Sequence, residues 1–364
     1  MSLVASYRAA EHPAEAAGGL GQLDAASRAV HSVGQRCVLF ARVEDITPQK
    51  QPITVYVMGQ PGSGKTSQAW VLRRALRGRP TRISGDFFKA SHPDYYDLLR
   101  QEPRTAGERI RADYRAWQAM AEAAVRERRG DVTIEIAPGS AAGFVAGAMA
   151  YRRAGYRAEL VVLAVRAADS RQGTAVRCAD VNRLGGHGRF TTAQRHDHHS
   201  AVLADAVAAA EQEAVADSVM MWGRDGTVLY RNGLNPQGSW ARPTGAVKAL
   251  LAEQKRPYSS QEAARFWALQ RRLRAVSTGN AGLPRLFRPS PTSNIARQLR
   301  KHDRCSGALG PLGSGPAQRG RALLEALENQ SPSRGVDMTG SPGVAPARSR
   351  GTRCHGRQDG DATT

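Results

Sequence analysis

Gly59-Gln60-Pro61-Gly62-Ser63-Gly64-Lys65-Thr66 satisfies the pattern G-x-x-x-x-G-K-[ST] without a mismatch. The spacing has a physical logic. Glycines let successive backbone N–H groups turn inward around a polyphosphate, and the helix that follows aims its positive end at the same point. Lys65 can reach the β- and γ-phosphates of a nucleotide such as ATP, and the Thr66 hydroxyl can take a place on Mg²⁺. The flanks agree, since Ile53-Thr-Val-Tyr-Val-Met58 is a β-branched run and Lys65 to Leu76 has a helical pattern. Lys65 is also one of only six lysines in a chain whose habitual base is arginine. An incidental Gly-rich turn is the weaker reading. The loop implies a nucleotide, but it does not name a reaction.

Working outward, the same alternation continues. Arg82-Ile83-Ser84 is a short extended segment, and Ala106 to Arg128 carries Ile110, Tyr114, Trp117, Ala121 and Ala124 at helical spacing. Val132 to Ile136 reads as a strand, Ala141 to Ala154 as a helix, Leu160 to Val165 as a strand and Thr192 to Ala216 as a long helix. Ser218 to Trp222 and Thr227 to Tyr230 read as strands around the Asp225-Gly226 turn. Apolar strands alternating with helices predict an α/β P-loop NTPase or kinase fold, a mostly parallel sheet flanked by helices.

The chain divides into an N-terminal helical segment over 1–50, with a helix around Ala25 to Ala41, and a P-loop domain over 51–235. A helical extension follows over 236–277, where Ser259-Ser-Gln-Glu262 is a capping-box pattern opening a helix to about Ala275. Residues 278–364 are rich in Pro, Gly, Ser and Arg, and their composition reads as a disordered basic tail with one short helical segment at Arg321 to Leu327.

The 364 residues carry 52 Lys+Arg against 32 Asp+Glu, a formal charge of +20. Such a charge invites nucleic acid as a partner. Residues 236–364 hold +13 of it, however, and 51–235 only +7. An Arg/Ala/Gly excess is also what a GC-rich genome writes into any protein. Nucleic-acid binding through the basic tail is therefore not the favoured reading. No apolar run approaches a membrane span, the first 19 residues have no signal-peptide core, and the four cysteines lie far apart without a CxxC pair. A soluble, reducing, cytoplasmic setting is the expectation.

Past the second strand stands Ser84-Gly-Asp86-Phe-Phe-Lys89-Ala-Ser-His92-Pro93-Asp-Tyr95. The carboxyl ends of parallel strands form the ligand crevice, so Asp86 could accept a hydroxyl proton in phosphoryl transfer. It could equally be a helix N-cap, and spacing alone leaves the two readings even. His196-Asp-His-His199 suggests metal ligation, yet adjacent side chains point in different directions, which favours a polar helix start.

The P-loop, then Gly-Asp86-x-Phe88-Lys89-x-x-His92-Pro93-x-Tyr95, then Ile134-Glu135 at a strand end together resemble the zeta toxin family of P-loop kinases across about residues 50–235. The resemblance implies ATP-dependent phosphorylation of the 3′-hydroxyl of the N-acetylglucosamine unit of UDP-N-acetylglucosamine, with a small antitoxin protein as partner. It implies that Gly59 to Thr66 bind ATP, with Lys65 on the phosphates and Thr66 on Mg²⁺. Asp86 would be the general base, and His92 and Glu135 would lie on the substrate side. Ser170-x-x-Gly173-Thr174-x-x-Arg177 and Gly188-Arg189-Phe190 resemble family segments that make Arg177 and Arg189 lid arginines on the transferred phosphoryl. There are departures, because the family's E-G-T is Glu135-Ile136-Ala137 here, and its further helix Glu has Glu122 as the nearest counterpart. A P-loop kinase for another acceptor and a nucleic-acid-associated protein with a regulatory nucleotide site are the competing readings.

Overall fold

The computed structural model describes residues 25–40, 45–76, 80–189 and 191–279. The tail over 280–364, with the Arg321 to Leu327 segment, lies outside them, as does Phe190.

Strands β1 (Ile53–Met58), β2 (Thr81–Ser84), β3 (Val132–Ile136), β4 (Arg157–Leu163), β5 (Ser218–Trp222) and β6 (Val228–Gly233) form one sheet in the order β2-β3-β1-β4-β5-β6. The first five are parallel, and β6 returns antiparallel to β5. The mostly parallel α/β sheet expected from the sequence is thus present. Successive residues of β1 explain why both faces are covered. Val55 and Val57 pack with Ala69, Leu72, Val161 and Leu163 on one side. Tyr56 and Met58 point to the other, among Ile83, Phe88, Ile134, Leu160 and Leu203. Val57 and Met58 are fully buried, and each such side chain contributes roughly 1.5–3 kcal/mol.

The helices are α1 (Ala25–Phe40), α2 (Lys65–Ala75), α3 (Gly85–Ala90), α4 (Tyr95–Gln101), α5 (Ala106–Arg109), α6 (Arg111–Arg128), α7 (Ala141–Arg153), α8 (Ala167–Arg183), α9 (Ala193–Gln212), α10 (Ala246–Lys255) and α11 (Ser260–Gly279). Among the described residues, no helix is long and apolar enough to cross a membrane.

Three departures from the sequence reading have physical causes. The expected helix 106–128 is broken at Ile110, whose backbone leaves helical geometry (φ −103°, ψ 16°) to set the short α5 apart from α6. Strand β4 begins at Arg157 rather than Leu160. Glu159, which interrupts the apolar run, is buried in the strand and compensated by Arg157 at 2.7 Å and the Ser218 hydroxyl. Helix α8 has no apolar stripe to announce it, because three of its five buried residues, Ser170, Gln172 and Thr174, are polar and lie on more than one side, beside Cys178 and Ala179. The capping box forms as written, with Ser259 N donating to Glu262 Oε2 at 2.8 Å and Glu262 N to Ser259 Oγ at 3.2 Å.

Candidate active site

Parallel strands deliver the site to one end of the sheet. β1, β2 and β3 lie side by side and are followed by the Gly59–Thr66 loop, Asp86 and Glu135's neighbourhood respectively, with Ser84 in register with Glu135 and Val57 with Glu135 across the other ladder. The chain then crosses from β3 to β4 on the far side of β1, which opens the crevice typical of a topological switch point.

The loop adopts a conformation that only its sequence permits. Gly62 and Gly64 have φ +78° and +98°, a left-handed region costly for other residues. A Cβ on Gly62 would lie 2.0 Å from the Ser170 carbonyl oxygen, and one on Gly173 would lie 2.4 Å from the Gly62 oxygen. The loop is therefore seated directly on α8. Gln60 fastens it there, its Nε2 donating to Val165 O at 2.7 Å and to Ser170 Oγ at 3.2 Å. Ser170 in turn meets His196 Nε2 at 2.8 Å, while His196 Nδ1 faces Asp197 at 3.1 Å. His198 and His199 contact the carbonyls of Gly139 and Pro138. The histidine run thus serves the start of α9, whose N-cap Thr192 accepts from Arg195 N at 3.2 Å.

Lys65 curls over the loop, Nζ donating to Gly59 O at 2.8 Å and Gln60 O at 3.0 Å. Burial lowers its pKa to about 8. Asp86 and Glu135 oppose that shift, and Arg177 and Arg189 add to it. Thr66 donates its hydroxyl proton to Glu135 Oε2 at 2.7 Å, which leaves the oxygen lone pairs available to a cation. The other carboxylate oxygen takes Arg82 through both Nε (2.7 Å) and Nη2 (2.6 Å).

Asp86, in the first turn of α3, is ringed by cations: Arg189 in direct contact, Lys89 at 3.3 Å and Arg177 at 3.6 Å. Burial works against its charge, yet Arg189, Lys89 and Arg177 outweigh that and hold the carboxyl well below the usual carboxylate range. Arg177 has charge to spare. Its Nε and Nη2 are buried without a hydrogen-bond acceptor, and burial followed by the neighbouring Arg189 lowers its pKa. The Ser63 hydroxyl in the loop is likewise buried and unpartnered.

The structure therefore brings together Lys65, Thr66, Asp86, Glu135, Arg177 and Arg189, drawn from five separate stretches of chain. His92 is placed differently. It is buried, stacked on Trp117 at 5.5 Å, with Nε2 facing Asp113 at 3.2 Å and Nδ1 accepting from Asp94 N at 3.2 Å. Glu122 lies on α6, hydrogen-bonded by Gln118 at 2.8 Å, and burial raises its pKa. Two residues of the site escaped the sequence reading. They are Lys89, beside Asp86, and Arg82, on Glu135. A period-two reading of β2 and β3 could have found Arg82, since its register partner Thr133 shares a sheet face with Glu135.

The site gathers left-handed loop glycines, a lysine, two arginines and a carboxylate-oriented threonine, a set whose chemistry suits a phosphate chain. The Thr66 hydroxyl, its proton directed to Glu135, suits Mg²⁺ as a single oxygen ligand. Among the described residues no group of three or more His, Cys, Asp or Glu side chains could hold a metal.

Toxin PezT of Streptococcus pneumoniae serotype 4 (strain ATCC BAA-334 / TIGR4) is 25% identical over 185 residues, which cover 50% of this chain and 72% of that protein. A solved structure of the PezAT chromosomal toxin–antitoxin system of the human pathogen Streptococcus pneumoniae superposes with a TM-score of 0.56 at 19% identity. That match covers 67% of this chain and 96% of the other, a likeness of fold. The family model described as zeta toxin matches residues 38–235, more than half of the chain. The chain belongs to the zeta toxin family.

Proposed function

We propose that this protein is an ATP-dependent phosphotransferase that moves the γ-phosphoryl group to a sugar hydroxyl, the acceptor being the 3′-hydroxyl of UDP-N-acetylglucosamine. The observation that carries the reading is Arg177, whose buried Nε and Nη2 lack an acceptor while its Nη1 lies 3.6 Å from Asp86. A guanidinium in that state is stabilised by an anion with several oxygens, and a γ-phosphate beside the Gly59–Thr66 loop is such an anion.

The chain's residues divide the work. Gly59 to Thr66 cradle the triphosphate through backbone amides, and Lys65 leaves its own loop carbonyls for the β/γ oxygens. Thr66, oriented by Glu135, and Arg82 behind Glu135 form the cation side. Mg²⁺ would be held there by Thr66, and the chemistry it would supply is neutralisation of negative charge on the phosphates. Asp86 takes the acceptor's hydroxyl proton as the oxygen attacks the γ-phosphorus in line, and the bond to the β,γ-bridging oxygen breaks to release ADP. Its low proton affinity in the present contacts would make it a weak base. Transfer of Arg177 and Arg189 from Asp86 to the phosphoryl oxygens removes two of the three cations that depress it and leaves Lys89, so base strength rises as the phosphate is clamped. A small antitoxin protein is the proposed partner, by likeness to the toxin–antitoxin system of the PezAT structure.

Ala137 stands where the family has Thr, so the acceptor is the point to test first. Purified protein with ATP, Mg²⁺ and a panel of sugar nucleotides is analysed by mass spectrometry. The expected result is an 80-Da gain on UDP-N-acetylglucosamine that Asp86→Asn abolishes. Phosphorylation of a different sugar nucleotide would move the acceptor, and no product with any of them would sink the sugar-kinase reading.

A further inference from the structure

Helix α8 is held from two sides. One face carries Ser170, Gly173 and Arg177, at positions i, i+3 and i+7, toward the phosphate loop and Asp86. The opposite side is gripped by residues 256–272, which lie beyond the family-matched 38–235. The grip begins at Arg166, the N-cap of α8. Its Nε donates to Asp169 at 2.8 Å and its Nη2 to Glu262 at 2.9 Å, and its guanidinium lies 3.7 Å over the Tyr258 ring. The Tyr258 hydroxyl closes the ring of contacts on Asp169 Oδ1 at 2.9 Å. Arg256 fixes Glu262 from the other side at 2.6 Å. Further along α8, Gln172 Nε2 donates to Phe266 O at 2.9 Å and to Gln270 Oε1 at 3.2 Å, both glutamines being buried. Arg272 pairs with Asp180 near the helix end.

We infer that this C-terminal segment is a positioning clamp for the phosphate site, with Tyr258 and Glu262 as positioning residues that act through α8 on Arg177 and on the seat of the loop. The inference rests on the kinase reading of that site. Its physical basis is the closeness of the fit. Gly62 and Gly173 touch α8 and the loop without room for one methyl group, so any slack in α8 is transmitted directly to the loop and to Arg177. Displacements of about 1 Å at a reacting centre cost on the order of a hundredfold in rate. Three of the five buried residues of α8, Ser170, Gln172 and Thr174, are polar, so directional contacts help hold the helix in position, and α11 supplies two of them to Gln172.

The test uses the full chain with Glu262→Gln and, as a milder second variant, Tyr258→Phe. Glutamine satisfies a capping box as glutamate does, so Glu262→Gln keeps the start of α11 and removes the charge and one of the two acceptor oxygens that hold Arg166 and Arg256. The expected result is a fall in kcat of about tenfold with the KM for ATP changed less than threefold. In an Arg177→Ala background the same substitution should lower kcat by a smaller factor, because one of the two groups it positions is gone. Amide hydrogen exchange over 167–183 should quicken in Glu262→Gln with or without turnover. Equal kcat factors in both backgrounds, or unchanged kcat and exchange in both variants, would overturn the clamp. Absence of ATP turnover in the unmodified protein would instead overturn the kinase reading, and exchange alone would then decide the clamp.

Discussion

Thr66 donates its hydroxyl proton to Glu135 across 69 positions of sequence, and Arg82 holds the other oxygen of the same carboxylate. The pairing gives Thr66 a defined orientation, so Thr66→Ser should preserve function and Glu135→Gln should not. A charge-assisted hydrogen bond of this kind contributes about 1.5–3 kcal/mol, so Glu135→Gln should lower kcat roughly 10- to 100-fold. The Mg²⁺ concentration for half-maximal rate should rise. A Mg²⁺ titration of initial rates checks this, and an unchanged midpoint would detach Glu135 from the cation side.

Lys65 offers a pH signature. Its folded pKa is about 8, against 10.5 for the free side chain. Between those values the folded protein binds fewer protons than the unfolded chain, so the stability contribution from this group rises with pH. The phosphates need the charged form, so nucleotide affinity should fall as pH rises through and above 8. Opposite trends in stability and affinity are the expected outcome, measured by thermal denaturation and by equilibrium binding of a fluorescent ATP analogue. Lys65→Arg should flatten the affinity profile, because guanidinium does not titrate there.

The two arginines on Asp86 should prove unequal to lysine in their place. Arg177→Lys keeps the charge but loses the planar fork that meets a phosphoryl group's oxygens. A fall in kcat of about 10³-fold is expected for Arg177→Ala or Arg189→Ala, as for other arginines that neutralise a transferring phosphoryl group. Arg177→Lys should recover only part of it. Single-turnover kinetics with saturating ATP separate this from binding. Full recovery by lysine would reduce Arg177 to a point charge.

The glycines of the loop make a stability contrast. Gly64→Ala meets nothing within 4 Å, so it should cost only the left-handed backbone penalty, about 1–2 kcal/mol. Gly62→Ala carries the same penalty and drives its Cβ against the Ser170 carbonyl, a backbone atom that cannot rotate away. A further cost of about 1–3 kcal/mol is expected from that overlap. Urea denaturation of the two variants should rank Gly62→Ala as the less stable, and equal midpoints would contradict the close seating on α8.

Much of this protein was legible in its residues. The alternation of Val55 and Val57 with Tyr56 and Met58 required a sheet buried on both faces. The loop from Gly59 to Thr66 could only serve a turn with left-handed glycines, and Ser259 with Glu262 specified a helix start that forms as written. Such features are local, governed by side-chain period and backbone sterics over a few residues. The partners of those groups were another matter. Arg82 reaches Glu135 because β2 and β3 are parallel neighbours in a particular register. His92 turns to Trp117 and Asp113 because α3 packs against α6. Helix α8 was invisible to apolar periodicity because three of its five buried positions are the polar Ser170, Gln172 and Thr174. The grip of Tyr258 and Glu262 on Arg166 spans more than 90 residues. Sequence determined which chemistry was present and which elements would form. Tertiary structure alone decided which charges meet, because that depends on strand register and helix packing between segments that no local pattern connects.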